Sequence, residues 1–189
     1  MSLELQRYGR NKSTIVNKTY INSGEYRNKF DKITDSKEVN RVIYSKSKEM
    51  LVHRSGTLLE DMYWIDGATG EVIASALNEQ TEGAVVYSEM INKAIKGKSN
   101  LIAIHTHPHS MPPSIADFNS AFEHGYKTGI VLCHDGTVYG YRSSQYISPS
   151  IYLANIAKYI KAGFSEKEAQ LQSLRKLSEN YNIDLWEVI

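Results

Sequence analysis

The sequence has little cysteine and almost no net charge, and both absences exclude classes of protein. Cys133 is the single cysteine among 189 residues, so the chain can form no internal disulfide and no zinc site built from several thiolates. The formal net charge is +1 at pH 7, which argues against nucleic acid as the partner. The sequence therefore predicts neither a disulfide scaffold nor a polyanion-binding protein.

Long apolar stretches are also missing. No run approaches the roughly 20 apolar residues that span a bilayer, and residues 1–20 contain no charged-then-apolar leader. A single cysteine is typical of a reducing compartment. We therefore expect a soluble protein of the cytoplasm without a membrane partner, and the pattern leaves the oligomeric state open.

Three regions differ in pattern. Residues 1–54 are polar and rich in Lys, Asn and Ser, and helical spacing predicts an N-terminal helical extension. Residues 55–145 alternate between strand and helix patterns, which predicts an α/β domain with a mixed sheet flanked by helices. Residues 146–189 are predicted to form a C-terminal helical extension. The expected helices cover 25–33, 37–51, 87–96, 114–124, 149–163 and 165–180, and the expected strands cover 60–65, 71–76, 101–104, 129–134 and 137–142.

Two histidines follow the most apolar of these strands. His105 and His107 are separated by one residue, so they point to the same side of the sheet if the strand continues. Both imidazoles could then reach one metal ion at roughly 2.0–2.1 Å. Paired histidines are also common on exposed strands, so the pair alone is weak evidence for a metal.

Ser114 and Asp117 open the next helix, after a proline-rich loop. Taken alone, a serine followed three residues later by an acidic residue is a helix-capping motif. In the first helical turn, however, Asp117 can become a third ligand beside His105 and His107. Two neutral histidines and one carboxylate leave the open fourth position that distinguishes a catalytic zinc site from a structural one. The set therefore predicts one Zn²⁺ per chain.

The run His105-Thr106-His107-Pro108, with Ser114 and Asp117 after it, resembles the signature of JAB/JAMM (MPN-type) metallopeptidases, including the bacterial RadC-like branch. The resemblance covers about residues 55–141, and the loop before Ser114 is one residue shorter than in the usual pattern. It implies a cytidine-deaminase-like JAB/JAMM fold in which the two histidines and the aspartate bind zinc. The serine in this pattern helps to stabilise the tetrahedral intermediate.

The family also uses a glutamate on an upstream strand as general acid and base, and Glu60 is our candidate. It stands at the start of the first predicted strand, on the same face as Met62 and Trp64. Partial desolvation there would raise its pKa toward the range that proton transfer needs. The alternatives are a surface-exposed Glu60, or a role for Glu79 or Glu82 in the following loop.

Residues 56–66 and 112–118 are most similar to JAB-like domains of phage and prophage proteins, some of them attached to head-morphogenesis proteins. The resemblance implies a zinc metallopeptidase or isopeptidase that acts on a peptide or protein. The alternative is a non-catalytic JAB-like binding or assembly module. Hydrolysis of nucleic acid is a third reading, against which the charge argues, and zinc deaminases are excluded because the chain has no pair of cysteines.

Overall fold

Short runs rich in β-branched and aromatic residues form the strands of this protein, and Ser- or Asn-capped segments form its helices. The computed structural model describes residues 14–78 and 80–189. The strands are β1 (Met62–Asp66), β2 (Val72–Ala76), β3 (Leu101–His107), β4 (Thr128–Cys133), β5 (Val138–Ser143) and β6 (Ile183–Glu187). The helices are α1 (Lys18–Ile21), α2 (Gly24–Asn28), α3 (Lys37–Arg54), α4 (Glu89–Ile95), α5 (Ile115–His124), α6 (Pro149–Lys161) and α7 (Glu166–Ser178).

The six strands form one mixed sheet in the order β2-β1-β3-β4-β5-β6. Among the strands of the described residues, only β3 and β4 pair in parallel, and α5 makes the crossover between them, as a parallel connection requires. The other neighbours pair antiparallel. The predicted mixed α/β class, with a sheet flanked by helices, is confirmed.

Each face of the sheet is covered by its own set of helices. Side chains of β1 alternate between the two faces, so Met62 and Trp64 pack with α4, α5, α6 and α7, while Tyr63 and Ile65 pack with α1, α2 and α3. The same alternation in β3 places His105 and His107 on the α5 face and Thr106 on the α3 face. Because helices cover both faces of the sheet, polar side chains can reach solvent mainly at the ends of the strands.

Several sequence predictions agree with the structure in kind and differ in extent. The helix predicted over 37–51 is confirmed as α3 and continues to Arg54, and the Ser36 side chain caps it. The helix predicted over 25–33 is reduced to α2, and the strand predicted from Glu60 begins at Met62. The predicted division into regions 1–54, 55–145 and 146–189 stays a prediction.

The prediction that the C-terminal tail is helical throughout is wrong for its last residues. After α6 and α7, the chain returns as β6 and pairs antiparallel with β5 at the edge of the sheet. The Trp186 ring lies over Gly140, where an added Cβ would stand 2.2 Å from ring atoms. The strand therefore forms through long-range packing that no local pattern shows. Within the described residues, no helix is both long enough and apolar enough to cross a membrane.

Candidate metal centre

The two histidines lie at the end of β3, in the interior of the sheet. His105 is 3% exposed and pairs across the sheet with Met62 of β1 and Val131 of β4. Both imidazoles point to the α5 face because they are two residues apart on one strand. His105 has strand neighbours on both sides and His107 pairs with Cys133 of β4, so the sheet positions both imidazoles of the candidate site.

The capping box of α5 supplies the third group. The Ser114 backbone N–H donates to Asp117 Oδ2 at 2.6 Å, and the Ser114 hydroxyl donates to the same oxygen at 2.8 Å. In return, the Asp117 N–H donates to Ser114 Oγ at 3.3 Å. One carboxylate therefore both caps the helix and faces the histidines, and the two roles predicted for Asp117 are compatible.

Two imidazole nitrogens and the two oxygens of one carboxylate converge at this point. His105 Nε2 lies 3.0 Å from His107 Nε2 and 3.3 Å from Asp117 Oδ1, and His107 Nε2 lies 3.6 Å from Asp117 Oδ2. Electron-rich atoms repel one another at such distances unless a proton or cation lies between them. Within the part of the chain that is described, these residues are the group of His, Cys, Asp and Glu side chains able to hold a metal ion.

Hydrogen bonding and burial prepare His107 for ligation. Its Nδ1–H donates to the Met111 carbonyl oxygen at 2.9 Å, so in the neutral ring Nε2 keeps its lone pair toward the site. Burial, helped by the nearby His105, lowers the pKa of His107. The neutral imidazole, which is the form that binds metals, is therefore favoured near neutral pH.

Asp117 has the opposite charge preference. Burial by itself raises the pKa of its carboxyl group, but the charge and hydrogen bond of His105, the charge of His107 and the backbone N–H of Ser114 outweigh burial. The net effect is a pKa well below the ordinary value. Asp117 is therefore an ionised carboxylate at neutral pH, as a hard metal ligand should be.

The Tyr141 ring packs against the His105 imidazole. The two rings meet edge to face, with centroids 6.2 Å apart. Tyr141 reaches this position from β5 because its ring lies across Gly129 of β4, its register partner. His105 Nδ1 is buried without a hydrogen-bond partner among the described residues, so the polar contacts of this imidazole are those of Nε2, with His107 and Asp117, and the Tyr141 ring adds packing.

A cavity of about 270 Å³ opens in front of the three candidate ligand residues. It brings together every site residue that the sequence predicted: Glu60, His105, His107, Ser114 and Asp117. Its walls are largely apolar and include Leu58, Met62, Val85, Tyr87, Met111 and Pro112. The arrangement is a shaped cleft with a polar floor, which is the usual form of a small-molecule or peptide site.

Glu60 lies in this cavity, two residues before β1, and is half-buried. Its charge acts on His107, raising that histidine's pKa against the larger effect of burial. Of the alternatives, Glu82 is exposed and does not line the cavity, and Glu79 lies outside the described residues. The position suits a proton carrier, and the role of Glu60 stays a prediction.

Ser114 also lines the cavity, but its hydroxyl proton is directed at Asp117. Its role toward a reaction intermediate therefore stays a prediction. Tyr87, Tyr141 and Gln170 reach the cavity from distant parts of the chain, and the sequence pattern gave no sign of them. The glycine opposite Tyr141 was the available signal, because a large ring often covers a glycine on the neighbouring strand.

Comparisons with protein-family models, curated proteins and solved structures found nothing that matches this chain. The fold and the site define a class rather than a family: a mixed α/β protein with a partly buried His-His-Asp group between the end of β3 and the start of α5.

Proposed function

We propose that this protein is a zinc-dependent hydrolase of amide bonds, of the JAB/JAMM metallopeptidase type and fold, with one Zn²⁺ per chain. The observation that carries the proposal is the convergence of His105, His107 and Asp117 in a cavity that Glu60 also lines. Peptides or proteins are the proposed substrates, through a peptide or an isopeptide bond.

The spacing of the ligand atoms supports zinc. Bonds of roughly 2.0–2.1 Å in a tetrahedron place ligand atoms about 3.3–3.4 Å apart. The 3.3 Å between His105 Nε2 and Asp117 Oδ1 matches that value, the two Nε2 atoms are 3.0 Å apart, and the 3.6 Å separation joins His107 Nε2 to the other carboxylate oxygen, Oδ2. Two imidazole nitrogens and one carboxylate oxygen are also a donor set found in catalytic zinc sites. The residues present therefore fit the ion.

Zinc, when bound, supplies a Lewis acid that polarises the amide carbonyl and lowers the pKa of water. Glu60 accepts the proton that the attacking water loses as its oxygen forms a bond to the carbonyl carbon. Glu60 then gives that proton to the amide nitrogen as the oxyanion re-forms the carbonyl and the carbon–nitrogen bond breaks, so the products are an amine and a carboxylic acid, which loses its remaining proton to the amine or to solvent. Glu60 ends in its starting state.

The other residues hold the reacting groups in place. Asp117 Oδ2 is held by the backbone N–H and hydroxyl of Ser114, which leaves Oδ1 toward His105. We assign Ser114 the additional task of donating to the developing oxyanion, for which its hydroxyl turns from Asp117 to the cavity. The apolar walls exclude water and strengthen the electrostatic interactions inside.

Metal analysis combined with peptide hydrolysis tests this proposal. Protein purified without added zinc should contain one zinc per chain as wild type and almost none as Asp117→Ala. Glu60→Gln should keep the zinc and lose about 10²- to 10⁴-fold in turnover, the usual contribution of a general acid and base. Full turnover by Glu60→Gln would contradict the assignment. A wild type that holds zinc but cleaves no peptide would favour a non-catalytic JAB-like binding or assembly module.

A further inference from the structure

We propose that Asp61, held by Arg54 and Thr106, is a positioning residue that fixes Glu60 over the metal centre. This inference rests on the proposed function, because it assigns to Asp61 the task of holding the proton carrier of that reaction. Asp61 does not line the cavity, so it acts through its neighbour in the chain.

The Asp61 side chain is anchored on the α3 face of the sheet. It is fully buried, at 0% exposure, and its two carboxylate oxygens have different partners. Arg54 Nε at the end of α3 donates to Oδ1, and His53 Nδ1 lies 2.7 Å from Oδ2. Arg54 also donates from Nη2 to the Leu77 carbonyl oxygen at 2.7 Å. The carboxylate therefore ties the segment before β1 to the end of a long helix.

The Asp61 main chain is anchored to the metal-binding strand. Its N–H donates to Thr106 Oγ1 at 3.0 Å, and its carbonyl oxygen accepts from the Thr106 N–H at 3.1 Å. Thr106 is the residue between His105 and His107, and its buried side chain lies on the opposite face from theirs. Both bonds therefore link Asp61 directly to the part of β3 that carries the two histidines.

Glu60 is one peptide unit from this anchor. Regular pairing of β1 with its neighbours begins at Met62, two residues after Glu60. The bonds of Asp61 continue the attachment to β3 beyond the end of the ladder. Because Asp61 points to the α3 face, Glu60 is directed to the α5 face, where the cavity lies.

A contribution to stability does not by itself explain the buried ion pair between Arg54 and Asp61. An ion pair removed from water loses hydration that its attraction only partly replaces, and an apolar pair of similar volume often does as well. Hydrogen bonds to both the side chain and the main chain of Asp61 are directional, whereas apolar packing is not. They fix the position of a backbone, and displacement by about 1 Å can cost about 100-fold in rate.

Two small substitutions test the anchor, with a third as rescue. Thr106→Val keeps the volume but removes the acceptor of the Asp61 N–H, and Asp61→Asn removes the charge that faces Arg54. Thr106→Ser keeps the hydroxyl. We expect Thr106→Val and Asp61→Asn to retain one zinc per chain and an almost unchanged KM, while kcat falls about 10- to 100-fold. Thr106→Ser should recover most of that loss.

A second readout does not depend on turnover. In protein loaded with Co²⁺ in place of zinc, the visible spectrum changes with pH, and a carboxylate held close to the ion affects the midpoint. Thr106→Val and Asp61→Asn should shift this midpoint toward the value of Glu60→Gln, and Thr106→Ser should keep the wild-type midpoint. Wild-type kcat and midpoint in both variants would overturn the inference.

The two proposals fail in different ways. If neither wild type nor Glu60→Gln hydrolyses any peptide, the proposed function fails, and the Co²⁺ spectra still decide whether Thr106 and Asp61 control the position of Glu60. If Thr106→Val and Asp61→Asn lose the folded state altogether while Thr106→Ser keeps it, the inference is also overturned, because the anchor then serves stability.

Discussion

Replacement of Gly129 by alanine is the sharpest test of how the sheet supports the metal centre. A Cβ at this position would stand 2.0 Å from Tyr141 Cζ and 2.4 Å from two further ring carbons. Carbon atoms in proteins approach to about 3.5–4.0 Å, so the ring would have to move by about 1.5 Å or more. The Phe118 ring, with its centroid 5.3 Å away, lies against Tyr141 and resists that movement.

The expected loss of stability in Gly129→Ala follows from overpacking of the core. An added methyl in a closely packed core costs about 1–3 kcal/mol of the free energy of unfolding. For a protein of this size each kcal/mol lowers Tm by about 2–4 °C, so we expect Gly129→Ala to lower Tm by about 2–12 °C. Because Tyr141 packs against His105, the displaced ring should also weaken the proposed binding of zinc, by about 10-fold or more if His105 tilts.

Thermal unfolding and competition with a zinc chelator measure the two effects. Gly24→Ala is the matched control, because a Cβ at this first residue of α2 meets nothing within 4 Å. The control should leave Tm and zinc affinity unchanged or slightly raised. If Gly129→Ala matches this control in both measurements, the Tyr141 ring does not support His105 in the way described.

Three further predictions concern single side chains. Tyr126→Phe leaves the indole N–H of the buried Trp64 without its 2.9 Å acceptor, so urea unfolding should show a loss of about 1–3 kcal/mol. In zinc-free protein, burial lowers the pKa of His107 below the ordinary histidine value of 6.5. At a pH below 6.5 the unfolded chain therefore binds a proton that the native state does not bind, and the free energy of unfolding should fall as the pH drops. Urea unfolding at about pH 7.5 and about pH 5.5 should show this fall, and His107→Gln should reduce it. Burial also raises the pKa of the Cys133 thiol, so a thiol reagent should modify it only upon unfolding, and fast modification of the native protein would contradict its burial.

The parts of the site that the sequence predicted are those that local rules determine. His105 and His107 share a face because strand side chains alternate, and Asp117 is close to Ser114 because a capping box spans three residues. Each rule acts over a few residues, so reading the sequence is sufficient. The spatial convergence of the three ligands followed once β3 and α5 were assigned as neighbours.

The parts that the sequence did not predict depend on distant contacts. Asp61 is an ordinary acidic residue in the chain, and its burial against Arg54 is visible only when α3 lies along the sheet. Tyr141 reaches His105 across another strand, through the space that Gly129 leaves. The strand β6 has only five residues and follows two helices, so its pairing with β5 could not be read from its own residues.

The position of β6 at the sheet edge determines which shortened forms of the protein can be expressed without self-association. Without β6, the backbone groups of β5 that face it would be open to water or to another molecule, and Gly140 would lose the Trp186 ring that covers it. Open strands of this kind are templates for pairing between chains. Fragments that stop before Ile183 should therefore self-associate, and expression of the site alone should begin from a chain that keeps this last strand.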